Sequence, residues 1–256
     1  MSYVDAHLHL ADPGYAGRIP AIIENATKNN VSHLLSNAMD YQTSVETLEI
    51  ARKYEPIVLG AIGVHPWTAN NNADCQLDKF EELIEKNEGS VKALGEIGLD
   101  GKYSQSAETR KRQREVFEFF LRIAERRELP VIVHSRLAVD EVLETLSKFR
   151  LRKVLLHWYD GPIEKLPLIG ERDYLISIGP AVQYSRRMSE IARSADLGMI
   201  LTETDGPVTY RGAFHGQATM PSFVIDVVRK LAEVKSLSLE TTREVIMANF
   251  EKLVSM

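Results

Sequence analysis

Short apolar runs alternate along this chain with longer segments in which apolar residues recur every three or four positions. The runs predict strands over Tyr3–His9, Ser32–Asn37, Ile57–Val64, Val91–Ile97, Pro130–Ser135, Val154–Trp158, Tyr174–Gly179 and Gly198–Glu203. The clearest amphipathic stretch between them is Glu108–Arg127, where Val116, Phe119, Phe120 and Ile123 recur at helical spacing among Arg, Lys and Glu. Met220–Val234 and Leu239–Val254 repeat that pattern, with Ser238 as N-cap of the last helix. Strand–helix units repeated in this way predict an α/β fold closed into a parallel (β/α)₈ TIM barrel. An open doubly wound sheet uses the same units but gathers its site at one switch point between a few strands.

The polar residues stand where the apolar runs stop. His7 and His9 end the first run, Ser36-Asn37 the second, His65 the third and Glu96 the fourth. His134 ends the fifth, His157 the sixth, and Glu203 and Asp205 the eighth. In a closed barrel these ends meet on one face, so their distribution favours closure. Hydrophobic strands have little structural reason to stop repeatedly in imidazoles and carboxylates, but these are the ligands that divalent ions take. His7 and His9, two apart on a strand, point to one face and can grip one ion. Asp5 shares their parity one step deeper, as an acceptor that can orient a ligand. A His-x-His alone also occurs in cores and on surfaces; four further strand-end ligands make it a metal signal. Six donors exceed the set of one tetrahedral zinc with an open position and suit two ions sharing a carboxylate, typically about 3.5–4 Å apart.

Composition narrows the class. The 256 residues, 44% hydrophobic and 26% charged, are ordinary for a globular chain and read as a single domain over 1–256. Thirty-one Lys plus Arg against 36 Asp plus Glu give a net charge of −5, so any phosphate binding is local. No run approaches the length of a membrane span, and the chain enters a strand at once without a signal peptide. The expected compartment is the cytoplasm, with no membrane partner and no obligatory protein partner. Cys75, the sole cysteine, excludes an intramolecular disulfide and a cysteine-rich zinc cluster.

Five ordered motifs resemble the TatD family of metal-dependent deoxyribonucleases: Asp5-Ala6-His7-Leu8-His9, Gly63-Val64-His65-Pro66, Gly95-Glu96-Ile97-Gly98-Leu99-Asp100, His134-Ser135-Arg136 and Glu203-Thr204-Asp205-Gly206-Pro207. Gln113-Arg114-Glu115-Val116-Phe117 is similar to that family's helix before the fifth strand, and the likeness runs to Asn249-Phe250. It implies a TIM-barrel, amidohydrolase-like hydrolase with one or two divalent ions, Mg²⁺, Mn²⁺ or Zn²⁺. It also implies His7, His9, Glu96, His134, His157 and Asp205 as ligands, with Glu96 bridging. The His-x-His pair, which some members lack, favours the two-metal form. One ion would take His7, His9, Glu96 and Asp205, the other Glu96, His134 and His157, with Asp205 orienting the attacking water. The expected substrate is a DNA end or small phosphodiester, cleaved in the manner of a 3′–5′ exonuclease on single strands. Such hydrolysis needs hydroxide at neutral pH, neutralised phosphorane oxygens and a stabilised leaving alkoxide, which two ions supply together.

Other residues carry weaker expectations. His65 resembles a family position facing the substrate and is expected to contact phosphate. Arg136 either binds phosphate or pairs with a helix carboxylate. Trp158 and Tyr159 either stack on a base or cover the barrel rim. Glu203 shares strand parity with Asp205 and reads as support for a ligand. His33 reads as structural at the opposite mouth, His215 as a solvated loop residue, and Arg110-Lys111-Arg112-Arg114 as a solvated helix face balanced by Glu108 and Glu115. The chain departs from the family pattern at Thr219-Met220, where Asn-Glu is usual. It departs again at Trp158-Tyr159-Asp160-Gly161 and at Gly101-Lys102-Tyr103. All three fall where βα loops shape the pocket, so hydrolysis is more firmly indicated than DNA as substrate. One rival is a hydrolase of a small phosphoester, lactone or amide on the same scaffold. Many such barrels bridge their ions with a carbamylated lysine where this chain has Glu96. A non-catalytic binding protein is the other rival, and the complete ligand set argues against it.

Overall fold

Eight strands follow one another around a parallel sheet: β1 (Tyr3–Leu8), β2 (Val31–Asn37), β3 (Val58–Ile62), β4 (Val91–Gly98), β5 (Val131–His134), β6 (Val154–Leu156), β7 (Leu175–Ile178) and β8 (Ile200–Thr202). The structure is a computed structural model that describes residues 2–70, 76–104 and 106–255; Cys75 lies outside the described residues. Each strand pairs in parallel with the next. The ring closes through the segment after β8. The Thr202 hydroxyl donates to the Val4 carbonyl, the Asp205 N–H to the His7 carbonyl and the His9 N–H to the Gly206 carbonyl, each at 2.8 Å. This is the expected barrel.

Helices α1 (Ile19–Lys28), α2 (Tyr41–Lys53), α3 (Pro66–Ala69), α4 (Leu77–Lys86) and α5 (Ala107–Arg127) lie along the first half of the chain. Helices α6 (Val139–Leu146), α7 (Leu166–Glu171), α8 (Arg186–Ser194), α9 (Phe223–Lys235) and α10 (Leu239–Val254) lie along the second. No helix among the described residues is long and apolar enough to cross a membrane. Helix α5 shows why these segments form where they do. Ser106 and Thr109 make a reciprocal capping box at its start, and Glu128 turns left-handed at its end with φ 53°. Its buried face carries Val116, Phe117, Phe120, Leu121 and Ile123, so Phe117 rather than the expected Phe119 takes the inward place. Phe120 packs edge-on against Phe80 of α4 with ring centroids 4.9 Å apart. At the last helix Ser238 accepts the Thr241 N–H, as expected of an N-cap.

Three strand boundaries differ from expectation by two residues, β6 ending at Leu156 instead of Trp158. β3 stops at Ile62, because Pro66 removes a ladder donor and sets φ for the first turn of α3, with His65 as its N-cap. β8 begins at Ile200, because Leu197–Met199 coils into a 3₁₀ turn capped by the Asp196 carboxylate. Asn249 of α10 anchors that turn by donating to the carbonyls of Leu197 and Ile200, both at 2.8 Å.

The ladder is irregular where it carries polar groups. Register shifts fall between Asp5 and Leu8 on the β1–β2 edge, and between Leu94 and Ile97 on the β4–β5 edge. They bracket His7 and Glu96, and such bulges re-aim side chains at the rims of barrels. Just beyond, Gly98 has φ 142°, and a Cβ there would lie 2.1 Å from the His134 carbonyl oxygen. Only glycine lets β4 and β5 approach so closely. At the far end of the barrel His33 sits half-buried beside Ser32, its ring 5.5 Å from that of Phe250, consistent with a structural role.

Candidate metal centre

His9 hands its Nδ1–H to the Asn37 carbonyl at the end of β2, 2.9 Å away. A carbonyl only accepts, so in the neutral ring the Nε2 lone pair faces inward. There it meets His7 Nε2 at 3.1 Å, and Glu96 Oε2 and Asp205 Oδ1 at 3.3 Å each. His7 Nε2 lies 3.3 Å from the same Glu96 oxygen and 3.4 Å from the same Asp205 oxygen. A tetrahedron with bonds of about 2.0–2.1 Å has edges of about 3.3–3.4 Å, so this quartet fits a divalent ion.

The other oxygen of Glu96 serves a second group. Oε1 lies 2.6 Å from His134 Nδ1, 2.7 Å from His157 Nε2 and 3.3 Å from His65 Nε2. His134 Nδ1 and His157 Nε2 are 3.3 Å apart. The far nitrogen of the His134 ring is bonded, and that of His157 faces a carboxylate beyond hydrogen-bond reach. His134 Nε2 sits 2.8 Å from Asp100 Oδ2, and His157 Nδ1 sits 3.6 Å from Glu203 Oε2. Carboxylates behind ligating histidines fix ring orientation and tautomer. His65 differs: its Nδ1 accepts the Trp67 N–H at 3.1 Å, so Nε2 carries the hydrogen directed at Glu96.

So many inward lone pairs require positive charge. With protein groups alone, protons supply it. Burial opposes a charge on His9, but Asp205 and Glu96 overcome it and raise its pKa to about 10. Burial likewise opposes His157 and His134. Glu96 and Glu203 hold the first well above the ordinary value, and Asp100 and Glu96 raise the second. Burial would push Glu96 and Asp205 up, yet the surrounding imidazoles hold both below the usual range. His65 is driven down, chiefly by burial. Divalent ions meet the same demand, and the buried, unpartnered Nδ1 of His7 fits a ring engaged through Nε2 alone.

Several supporting groups act differently from expectation. Asp5 does not reach the His7 ring; it accepts the backbone N–H of His7 at 3.4 Å, and both the N–H and hydroxyl of Thr204. It thereby braces the neighbour of Asp205, and burial raises its own pKa to about 8. Glu203 and Asp205 do not share a face. The chain leaves β8 after Thr202 and Asp205 adopts φ 45°, so Glu203 turns under His157 and accepts from Ser177, whereas Asp205 faces His7 and His9. Tyr159 is unavailable to a base: Trp158 takes φ 38° and Tyr159 is buried beneath the rim, its hydroxyl bonded to the Pro162 carbonyl.

A cavity of about 690 Å³ opens over the site. His9, His65, Glu96, His134, His157 and Asp205 form its floor, and Met39, Trp67, Arg136, Trp158, Pro207 and Val208 are among its walls. The Arg136 guanidinium pairs with no carboxylate among the described residues, so the helix partner weighed for it is absent there. Lys111 and Arg112 reach Glu115 at 3.7 Å, as expected, whereas Arg114 reaches Glu141 of α6 at 3.0 Å, Arg110 donates to the Ser104 carbonyl, and no ion pair to Glu108 forms among the described residues. His215 is exposed in its loop. Sequence reasoning passed over Trp67, and it named Asp100 and Tyr103 without giving either a role at the site. Trp67 directly follows the Gly63-Val64-His65-Pro66 motif, which was the available signal.

The chain is similar to known proteins over nearly its whole length. The family model described as TatD related DNase matches residues 4–255. An uncharacterized metal-dependent hydrolase of Methanocaldococcus jannaschii is 32% identical over 249 residues, covering 97% of this chain and 95% of the relative. The human deoxyribonuclease TATDN3 is 30% identical over 259 residues, covering 98% and 93% respectively. The crystal structure of YjjV, a TatD homolog from Escherichia coli, superposes with a TM-score of 0.91 at 25% identity, covering 99% of this chain and 98% of that one. The chain belongs to the TatD-related DNase family and is a metal-dependent hydrolase.

Proposed function

We propose that this chain is a two-metal phosphodiesterase, a cytoplasmic deoxyribonuclease acting 3′–5′ on single-stranded DNA ends. The division of the two Glu96 oxygens between two donor sets, Oε2 toward His7 and His9 and Oε1 toward His134 and His157, carries the two-metal reading. The deoxyribonuclease name of the human relative supports the choice of substrate.

His7, His9, Asp205 and Glu96 Oε2 would hold one ion; Glu96 Oε1, His134 Nδ1 and His157 Nε2 would hold the other. Bound divalent ions, Mg²⁺, Mn²⁺ or Zn²⁺, supply Lewis acidity to the phosphate and lower the pKa of water. The chain's own groups do the rest. Asp205 turns Oδ1 to His7 and His9 and lines the cavity, which leaves Oδ2 out of those contacts to orient the attacking water and accept its proton. His65 keeps its ring neutral, and its Nε2–H, which faces Glu96 Oε1 at 3.3 Å with protein groups alone, would turn to a phosphate oxygen once an ion engages that carboxylate. Arg136, unpaired at the wall, offers a planar fork to the same group. A surface of net charge −5 provides no extended track for duplex DNA, and a cavity of about 690 Å³ admits an end more readily than a rigid helix.

The test is cleavage of end-labelled single-stranded, blunt duplex and circular single-stranded DNA under one salt condition, with each metal and with chelator. Metal-dependent loss of nucleotides from linear single strands is expected. Rapid cutting of the circle would overturn end dependence. Turnover of a small lactone or amide without cutting any DNA would give the site to another hydrolase.

A further inference from the structure

Two aromatic rings at the rim stand out because they are exposed, in mutual contact and tied to one carboxylate. Trp67, after β3, is 44% exposed, and Tyr103, after β4, is 41% exposed. Their centroids are 5.0 Å apart with the planes inclined at 63°. Exposed aromatic side chains are ordinarily free to rotate, but one buried carboxylate holds the indole of Trp67 and the backbone that carries Tyr103. Asp100 Oδ2 accepts the Trp67 indole N–H at 3.1 Å, and Oδ1 accepts the backbone N–H groups of Lys102 and Tyr103 at 2.8 and 3.1 Å. Gln113 of α5 ties the two loops together behind them. It accepts the Asp100 N–H at 3.0 Å and donates to the Pro66 carbonyl at 3.3 Å.

We infer that Trp67 and Tyr103 form an aromatic platform that stacks the base of the nucleotide whose phosphate is cleaved. The inference rests on the phosphodiesterase reading. Asp100 joins the platform to the reacting centre, because the oxygen that holds the indole also lies 2.8 Å from His134 Nε2. The Trp67 indole is therefore held at a set position relative to Glu96, with Tyr103 packed against it, and rigid aromatic surface binds at low entropic cost. Charge supports the same ligand. The Lys102 ammonium lies 5.5 Å from the Tyr103 ring centre and pairs with no carboxylate among the described residues, which suits the next phosphate along a strand. Every base offers a π face, so the platform accepts bases without selecting among them. Trp158, across the cavity, is less suited, because Tyr210 already stacks on it at 5.7 Å with planes 21° apart.

The test uses two oligonucleotides that differ only at the cleaved end, one closing in thymidine and the other in an abasic tetrahydrofuran residue. Metal-loaded full-length wild type, Trp67→Phe, Trp67→Ala and Tyr103→Ala are compared on both. Wild type should show a KM about 5- to 150-fold higher for the abasic end, the range of base–aromatic stacking. Trp67→Phe, which keeps an aromatic face but loses the bond to Asp100, should keep part of that difference, and Trp67→Ala should shrink it to within about twofold. Tyr103→Ala should reduce it in part, which keeps the test decisive should Trp67→Ala fold poorly. Equal preference in wild type and Trp67→Ala, or none in wild type, would overturn the platform and leave the phosphodiesterase reading intact. Failure of wild type to cut either oligonucleotide would instead overturn that reading, and the platform with it.

Discussion

Asp100 Oδ2 lies 2.8 Å from His134 Nε2, and this contact leaves Nδ1 of the same ring 2.6 Å from Glu96 Oε1. Burial acts to raise the Asp100 pKa, but hydrogen bonds from His134, Trp67 and Tyr103 hold it at about 2. Ionised, it can only accept, so the neutral His134 carries its hydrogen on Nε2 and its lone pair on Nδ1. Asp100→Asn keeps the shape and disturbs this choice. An amide whose oxygen stays on the Lys102 and Tyr103 N–H groups turns its NH₂ toward His134, and the ring proton must move to Nδ1. The variant should lose the ion at the His134 side and turn over about 10- to 100-fold more slowly. Elemental analysis, with ¹⁵N spectra of the zinc-loaded protein to report the tautomer, checks this; two ions bound as tightly as in wild type would contradict it.

Asp205→Asn should separate chemistry from folding. The amide preserves volume but cannot take a proton from water, so kcat should fall by about 10²- to 10⁴-fold. The melting temperature should stay near wild type, because the backbone N–H of residue 205 still bonds to the His7 carbonyl. A kcat within a few fold of wild type would remove Asp205 from the proton path.

Arg136→Ala should act on binding instead. A charge-assisted contact to phosphate predicts a KM raised roughly 10- to 100-fold with little change in kcat. Steady-state kinetics on a single-stranded oligonucleotide decide it. An unchanged KM would leave the guanidinium as a solvated group at the wall.

The strand ends were legible in the sequence and their mutual contacts were not. Apolar runs that stop at His7, Glu96, His134 and His157 fix both the barrel and the convergence of those side chains, because closure forces parallel strand ends onto one face. The contacts that set ring orientation join groups distant in sequence, Asn37 with His9 and Asp100 with His134, and no spacing along the chain encodes them. Parity reasoning failed at Glu203 and Asp205, since strand alternation ends with Thr202 and the left-handed turn at Asp205 re-aims the carboxylate. Of the two readings open for Tyr159 the stacking one falls away, because the left-handed turn at Trp158 carries the ring beneath the rim.

Stability of the chelated protein should depend on pH in a way that metal reverses. His9, held at about 10 against an ordinary 6.5, binds its proton more tightly folded than unfolded. That advantage is complete below 6.5 and drains away as pH rises toward the folded value. Asp100, held at about 2 against 3.8, stabilises the fold above 3.8 and ceases to do so as pH falls through about 2. The chelated protein should therefore melt highest between pH 3.8 and 6.5 and progressively lower toward alkaline pH. Divalent ions need unprotonated imidazoles, so their stabilising effect should grow over the alkaline range. Calorimetry with chelator and with Mn²⁺ tests both limbs; a chelated melting temperature that rises above pH 6.5 would contradict the assignment.

The bridging position of Glu96 is tested most directly by titrating chelated wild type and Glu96→Ala with Mn²⁺ or Zn²⁺, counting bound ions per chain while following hydrolysis of a single-stranded oligonucleotide. Two ions should bind to wild type, and removal of the shared carboxylate should weaken both together and nearly abolish turnover. Saturation of wild type at one ion, or a Glu96→Ala protein that loses one ion and holds the other at wild-type affinity, would contradict the account.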